Sequence, residues 1–110
     1  MGLLKQMSSM VSTEFVDCTS LPPGSLVDVE TKNRHYRIEC LGDTAIRISG
    51  HPELCPEPVN GRLRGSVEKG GILTEPGLIG RGKYLQFFLD DRRPVTTSRV
   101  TRVRVRPAVQ

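Results

Sequence analysis

Apolar and polar side chains alternate along most of the chain after residue 25. In the stretch 26–31, for example, Val27 and Val29 fall on one face and Asp28 falls on the other. A period of two is typical of a β-strand with one buried face, and no window has the 3.6-residue period of a helix. The alternation therefore predicts short strands over residues 26–31, 35–40, 45–49, 62–67, 72–73, 78–89 and 95–105.

Turn residues separate these predicted strands. Residues 32–33 and 42–43 are typical of tight turns, which would join the first three strands into a meander. The stretch 50–60 contains three prolines, so we expect an ordered loop across one end of the sheet. Gly80 and Gly82 predict a bend or bulge inside the long strand that surrounds them.

The pattern as a whole predicts an all-β protein. In the last strand Val100 is out of phase with Val103 and Val105, so we expect a second bulge there. Short strands separated by frequent turns favour a small closed or partly open antiparallel barrel of about six to seven strands.

The length of 110 residues allows one domain. Residues 1–21 are interrupted by Ser and Thr and predict a poorly ordered, flexible N-terminal lead-in. The Pro-Pro-Gly sequence at residues 22–24 marks the start of a single domain over residues 22–107, and residues 108–110 form a tail.

A series of residues along the domain forms an ordered pattern. They are Thr31-x-Asn33-x-x-Tyr36, Ile48-x-Gly50, Gly65-Ser66, Gly71, Ile79-x-x-Gly82, Leu85-x-Phe87 and Thr97-Ser98-x-Val100. Over about residues 26–103 this order resembles a family of small bacterial all-β proteins of unknown function. The resemblance implies the same strand–turn fold and carries over no functional residue, and Cys40, Cys55 and His51 lie outside the pattern.

Composition excludes several protein classes. No apolar run reaches the ~18 residues that a membrane span needs. The N-terminal stretch lacks the apolar centre of a secretory signal. Three cysteines, an odd number, argue against a disulfide framework. We therefore expect a cytoplasmic protein that does not associate with a membrane.

The net charge of +4 is unevenly distributed. Residues 1–61 hold five Lys/Arg and eight Asp/Glu, a net −3, whereas residues 62–110 hold eleven and four, a net +7. Such a basic half can follow a phosphate backbone, or it can keep exposed strands soluble and protect sheet edges. The candidate nucleic-acid contacts are Arg62, Arg64, Arg81, Lys83, Tyr84, Arg99, Arg102, Arg104 and Arg106.

The aromatic residues of the strand 78–89 are the second component of that candidate. Phe87 is in phase with the apolar positions and is predicted to lie in the core, while Tyr84 and Phe88 share the opposite face. That face would either stack bases or pack against a second sheet or the N-terminal segment.

Other patterns contain reactive residue types. Zinc-ligand types occur at His35-x4-Cys40 and His51-x3-Cys55, but this spacing is not a common zinc pattern, and the first pair falls on opposite faces of a strand. Cys55 and His51 also provide a nucleophile and a base, without a recognisable oxyanion hole. The Gly-rich stretch 77–83 lacks the Ser/Thr and the helix of a phosphate loop. We therefore assign no catalytic residue, no metal ligand and no cofactor.

These observations favour a non-enzymatic binding or interaction module. Its partner is either an unknown protein or a second copy of the chain. The alternative is a sequence-nonspecific nucleic-acid-binding protein that uses its Arg-rich C-terminal half.

Overall fold

The computed structural model describes residues 10–90 and 93–109. These residues form ten β-strands and one short 3-10 turn, η1, and they contain no α-helix. The elements are β1 (Val11–Thr13), β2 (Phe15–Asp17), η1 (Cys18–Ser20), β3 (Leu26–Thr31), β4 (His35–Gly42), β5 (Ala45–Ser49), β6 (Val59–Val67), β7 (Leu73–Pro76), β8 (Leu78–Gly80), β9 (Tyr84–Leu89) and β10 (Pro94–Arg106). The all-β fold predicted from the sequence is confirmed.

Six of these strands close into an antiparallel ring in the order β3, β4, β5, β6, β9 and β10, and β10 pairs back onto β3. The predicted meander is present as β3–β4–β5, with Ile38 paired to Val27 on one side and to Ile48 on the other. Strand β1 adds to β10, β7 adds to β6, and β2 pairs with β8 in a separate two-stranded sheet.

The apolar face of each ring strand contributes to the core. Phe87 is fully buried, and its ring meets the buried ring of Tyr36 edge to face, with centroids 5.8 Å apart and an interplanar angle of 70°. The apolar side chains of the ring strands that form the core cluster are Val27, Val29, Tyr36, Ile38, Cys40, Ile46, Ile48, Leu63, Leu85, Phe87, Val95, Val100 and Val103. The faces expected from the alternation are therefore the faces that pack together.

The long strand predicted over 78–89 is two strands. Gly82 has a φ of +86°, a left-handed conformation that glycine adopts without steric cost, and the chain turns there. Its backbone N–H donates to the carbonyl of Val100 (2.8 Å), and the N–H of Val100 donates to the carbonyl of Lys83 (2.8 Å). The predicted bend is thus a complete turn that docks on β10. Because of this turn, β8 pairs with β2, while β9 pairs within the ring.

Strand β10 contains the predicted bulge. Its register against β3 shifts between Val100 and Arg102, so that Val100 and Val103 are both buried although they are out of phase. A second shift, against β9, lies between Thr96 and Arg99. These irregularities allow one long strand to pair with β9 in its first half and with β3 in its second half.

The described part of the N-terminal segment, from residue 10 onward, forms strands. Residues 1–9 lie outside the described residues, but β1 pairs with β10 and β2 pairs with β8. Val16 and Cys18 are buried in the core cluster. The Ser and Thr side chains of this segment do not prevent strand pairing, because the pairing uses backbone groups. The boundaries at residues 22 and 107 remain predictions, although strand pairing begins before the first of them.

The Pro-rich loop is shorter than predicted. Strand β6 begins at Val59, directly after the last proline of the loop, and Val59 pairs with Ile48. Proline cannot donate to a sheet ladder, so the strand starts where the prolines end.

Gly65 lies where the backbones of β6 and β7 approach each other closely. Its φ is +134°, and a Cβ at this position would collide with the backbone carbonyl of Glu75 and lie 2.7 Å from the backbone nitrogen of Gly77. A side chain here would push β7 away from β6.

Candidate functional site

The outer surface of β9 and its two neighbours combines aromatic and basic side chains. Leu85 and Phe87 point into the core, so the residues that alternate with them on β9 point outward. We call the β9 face the outward surface formed by Arg62 and Arg64 of β6, Tyr84, Gln86 and Phe88 of β9, and Arg99 of β10. Within this face Tyr84 pairs with Arg99, and Phe88 pairs with Arg62.

Tyr84 and Arg99 form one contact unit at the surface. The guanidinium carbon of Arg99 lies 5.5 Å from the centroid of the Tyr84 ring, and Nη2 donates to the phenol oxygen at 3.5 Å. This hydrogen bond and the positive charge lower the pKa of Tyr84, and the same hydrogen bond raises the pKa of Arg99. The pair presents an aromatic ring and a fixed positive charge side by side.

The centre of the β9 face is occupied by a hydrogen-bonded network. Gln86 is only 7% exposed. Its amide oxygen accepts from Nη1 of Arg64, and its amide nitrogen donates to Oγ1 of Thr96 at 2.8 Å. Arg64 also donates to the carbonyl of Gly71 at 3.4 Å, which ties the turn before β7 to this network. Gln86 therefore has its amide committed to the protein, and it separates Tyr84 from Phe88.

A groove lies at the Phe88 end of the face. Its volume is about 500 Å³, which is within the usual range for ligand sites. It is lined by Ala45, Asn60, Gly61, Arg62, Phe88, Leu89 and Asp90. Nη1 of Arg62 donates to Oγ1 of Thr44 at 2.8 Å, which positions the guanidinium beside the groove.

The other basic residues that were predicted to contact nucleic acid lie in several different environments. Arg81 forms an ion pair with Glu14 (3.3 Å), Lys83 with Glu68 (3.3 Å), and Arg104 with Asp28 (3.2 Å). Arg102 is exposed and lines a second groove of about 480 Å³, where Glu14 and Glu30 also lie. Arg106 is half-buried at the end of β10. The structure therefore brings Arg62, Arg64, Tyr84 and Arg99 together on one face and places the remaining basic residues elsewhere.

Asp28 organises the outer surface of β3 and was not singled out by the sequence. It alternates with the inward-pointing Val27 and Val29, yet it is only 3% exposed. Its carboxylate accepts from Nε of Arg37 (3.2 Å) and Nη2 of Arg104 (3.2 Å), and Nε2 of His35 lies at 3.8 Å. We call this cluster the β3 face. The sequence signal was an acidic residue on the polar side of a strand, which is too common to single out.

His51 and Cys55 have structural roles in the Pro-rich loop. Nδ1 of His51 accepts hydrogen bonds from the backbone N–H groups of Glu53 (3.2 Å) and Leu54 (3.1 Å). The N–H of Cys55 donates to the carbonyl of His51 at 3.0 Å, and the thiol is fully buried. His51 therefore caps a turn through the nitrogen that a catalytic base would need, and Cys55 packs in the interior.

His35 and Cys40 are the two residues of β4 whose side chains could bind zinc. His35 is exposed and Cys40 is buried, so they lie on opposite sides of the strand. Within residues 10–90 and 93–109, no group of three or more His, Cys, Asp or Glu side chains is placed to hold a metal ion. The same residues contain no helix with the length and apolar character to cross a membrane.

Comparison with known proteins gives no match to the chain: no family model, no curated protein and no solved structure. Any statement on function therefore has to come from the surfaces described above.

Proposed function

We propose that the protein is a non-enzymatic binding module that takes single-stranded nucleic acid on the β9 face, without sequence preference. The observation that carries the proposal is the Tyr84–Arg99 pair, in which Arg99 is exposed and Tyr84 is half-buried. The pair shares its face with two further arginines and with Phe88. This arrangement reduces the candidate contacts in the Arg-rich half of the sequence to those on one surface.

The composition of the face supports this class of ligand. Proteins that bind single strands combine cations that contact phosphates with aromatic rings that stack on bases. Tyr84 and Phe88 are four residues apart on β9, or about 13 Å along the strand, so each would stack on a different base. Arg62 flanks Phe88 from one neighbouring strand and Arg99 flanks Tyr84 from the other, so phosphates can be contacted on both sides of β9.

The lack of sequence preference follows from Gln86. Reading a base requires free donors and acceptors that reach its edge. The Gln86 side chain is buried and its amide is bonded to Arg64 and Thr96, so it is poorly placed to reach the edge of a base. Stacking and phosphate contacts remain, and neither depends strongly on base identity.

The test is fluorescence anisotropy of a labelled single-stranded oligonucleotide at low and at physiological salt. Arg62→Ala with Arg99→Ala should lower the slope of log affinity against log salt by about 1.4, since each single-strand phosphate contact contributes roughly 0.7. Tyr84→Ala should weaken binding about tenfold, and Tyr84→Phe, which retains the ring, should weaken it much less.

The matched control is Arg102→Ala with Arg106→Ala. It removes the same charge from the part of β10 that pairs with β3 rather than β9. This control should leave the salt slope nearly unchanged. Absence of binding at low salt, or equal losses in the two double variants, would contradict the proposal.

A second candidate function is self-association through β1. Among the described residues β1 pairs only with β10. Val11 in β1 and Phe15, two residues after the strand, are 61% and 60% exposed. A strand with an open edge and apolar neighbours is a template for pairing with the same strand of a second copy. Light scattering after size exclusion would then give a dimer that Val11→Lys converts to a monomer. A wild-type monomer at all concentrations tested would exclude this candidate.

A further inference from the structure

The groove at the Phe88 end of the β9 face contains two successive pairs of outward residues from β6 and β9. In the first pair Arg62 lies opposite Phe88. The same antiparallel register, continued by two residues, places Asn60 opposite Asp90, and both residues line the groove. Side chains two residues apart share one face of a strand, so the second pair lies on the same outward side, about 7 Å from the first.

Asn60 and Asp90 offer different polar atoms to this groove. Nε of Arg47 donates to Oδ1 of Asn60 at 3.4 Å, which fixes the orientation of the amide and leaves Nδ2 as a donor. Asp90 is exposed, and its ionised carboxylate can only accept hydrogen bonds. The second pair therefore presents one donor beside two acceptor oxygens.

This order of donor and acceptors complements the Watson–Crick edge of guanine. Guanine presents O6 as an acceptor, followed by N1–H and the N2 amino group as donors. Nδ2 of Asn60 donates to O6, and the carboxylate of Asp90 accepts from N1–H and from the amino group in two charge-assisted hydrogen bonds. Each of the other three bases places at least one acceptor atom against the carboxylate, so each leaves a polar group without a partner.

The first pair supplies the remaining contacts of a nucleotide. The half-buried ring of Phe88 provides a surface on which a base can stack. Nη1 of Arg62 donates to Oγ1 of Thr44 at 2.8 Å, and this bond holds the guanidinium while Nε and Nη2 are left to bind a phosphate. Ala45 and Gly61, which also line the groove, are small and leave room beside these side chains.

We propose that this groove is a binding site for a guanine nucleotide, either free or as one nucleotide of a single strand. The base stacks on Phe88, its edge is bound by Asn60 and Asp90, and its phosphate is bound by Arg62. A free nucleotide occupies the groove whether or not a strand lies on the rest of the β9 face. In a strand, the groove adds a preference at one position, while the Tyr84 end stacks on any base.

The test is a chemical-shift titration of the isotope-labelled full chain by nuclear magnetic resonance. The probes are the monophosphates of guanosine, inosine, adenosine, cytidine and uridine. We expect guanosine monophosphate to bind at least about tenfold more tightly than the last three. Inosine monophosphate lacks only the N2 amino group and should bind with intermediate affinity. The backbone amide signals of Gly61 and Asp90 should shift on binding.

The variants separate recognition of the base from recognition of the phosphate. Asp90→Asn should abolish the preference for guanosine monophosphate, and this residue is exposed, so the variant should fold. The matched control is Glu75→Gln, which makes the same change of charge in a different groove and should retain the preference. Arg62→Ala should weaken the binding of all five nucleotides and leave their order unchanged.

Oligothymidine with and without a single guanine distinguishes the two sources of the nucleotide. Tighter binding of the guanine-containing strand to the wild type, but not to Asp90→Asn, assigns the site to a strand. A preference for guanosine monophosphate without this effect assigns it to a free nucleotide. Absence of binding up to about 1 mM guanosine monophosphate, or equal affinities for the guanosine and adenosine monophosphates, would overturn the proposal.

The failure of this proposal can be distinguished from the failure of the proposed function. Salt-dependent binding of oligothymidine together with equal affinities for all five monophosphates would overturn the guanine site alone. A preference for guanosine monophosphate without any binding of oligothymidine would overturn the single-strand function alone.

Discussion

The β3 face and the β9 face occupy equivalent outward positions on one ring, but they use arginine in opposite ways. On the β3 face Arg37 and Arg104 converge on the buried carboxylate of Asp28. On the β9 face Arg99 lies beside an aromatic ring and Arg64 beside an amide, with no carboxylate in either contact. The first arrangement compensates charge through direct hydrogen bonds to a carboxylate, whereas in the second Glu68 acts on Arg99 only through space.

This difference separates a surface that stabilises the fold from the surface that we propose binds a ligand. A buried carboxylate without partners is costly, so Arg37 and Arg104 are required where they are. Nε of Arg104 is buried without a partner, which makes the loss of Asp28 still less tolerable. An exposed cation–π pair contributes little to stability, so Tyr84 and Arg99 can exchange their contact for a ligand.

The comparison is tested most strongly by the adjacent residues Phe87 and Phe88. Phe87 is fully buried against Tyr36, whereas Phe88 lies half-buried on the β9 face. Phe87→Ala should lower the free energy of unfolding by about 4 kcal/mol because it leaves a cavity in the core. Phe88→Ala should cost about 1 kcal/mol, since only part of its apolar surface is buried. Urea denaturation of both variants measures the difference, and equal losses would show that the β9 face is structural.

Asp28→Ala should have the next largest effect. The substitution leaves the partly buried Arg104 without its carboxylate partner. It should lower the free energy of unfolding by about 3 kcal/mol. The control is Glu39→Ala, which removes an exposed ion pair with Arg47 and should cost less than about 1 kcal/mol. A similar small loss in both variants, measured by urea denaturation, would mean that the two outward surfaces do not differ in their contribution to stability.

The two tyrosines provide the smallest but most direct comparison. Burial raises the pKa of Tyr36, while Arg99 lowers the pKa of Tyr84, so an ultraviolet titration should show two steps, with Tyr84 ionising first. Arg99→Ala should move the first step to higher pH and leave the second in place. Tyr36 keeps its proton in the folded protein above the pH at which it ionises in the unfolded chain. Its contribution to stability is therefore complete below pH about 10 and is lost as the pH rises further. A single step at the ordinary pKa would contradict the Tyr84–Arg99 contact.

Much of the ring could be predicted because its signals are local. Val27 and Val29 alternate with polar neighbours, and residues 32–33 supply a turn, so β3 and β4 are specified within a short stretch of chain. The bulge at Val100 is visible as a phase break for the same reason. The division of the stretch 78–89 could not be predicted, because the turn at Gly82 depends on hydrogen bonds to Val100 in another strand.

The candidate site was predicted only as a set of residue types. The sequence places Tyr84 and Phe88 on one face, and it identifies nine basic or aromatic candidates without grouping them. The structure separates Arg99, which contacts Tyr84, from Arg104, which belongs to Asp28. It also buries Gln86 in a network that no local pattern indicates.

By itself the sequence determined the all-β class, the inward and outward faces of the strands and the excess of positive charge in the second half, since alternation, turn residues and composition act over a few residues. The tertiary structure decided which of those charges are compensated. Arg104 is 76 residues from Asp28 and Arg81 is 67 residues from Glu14, so these pairs exist only because the ring brings β10 beside β3 and the turn after β8 beside the N-terminal segment. A charge interacts with its neighbours in space, and the order of strands sets those neighbours.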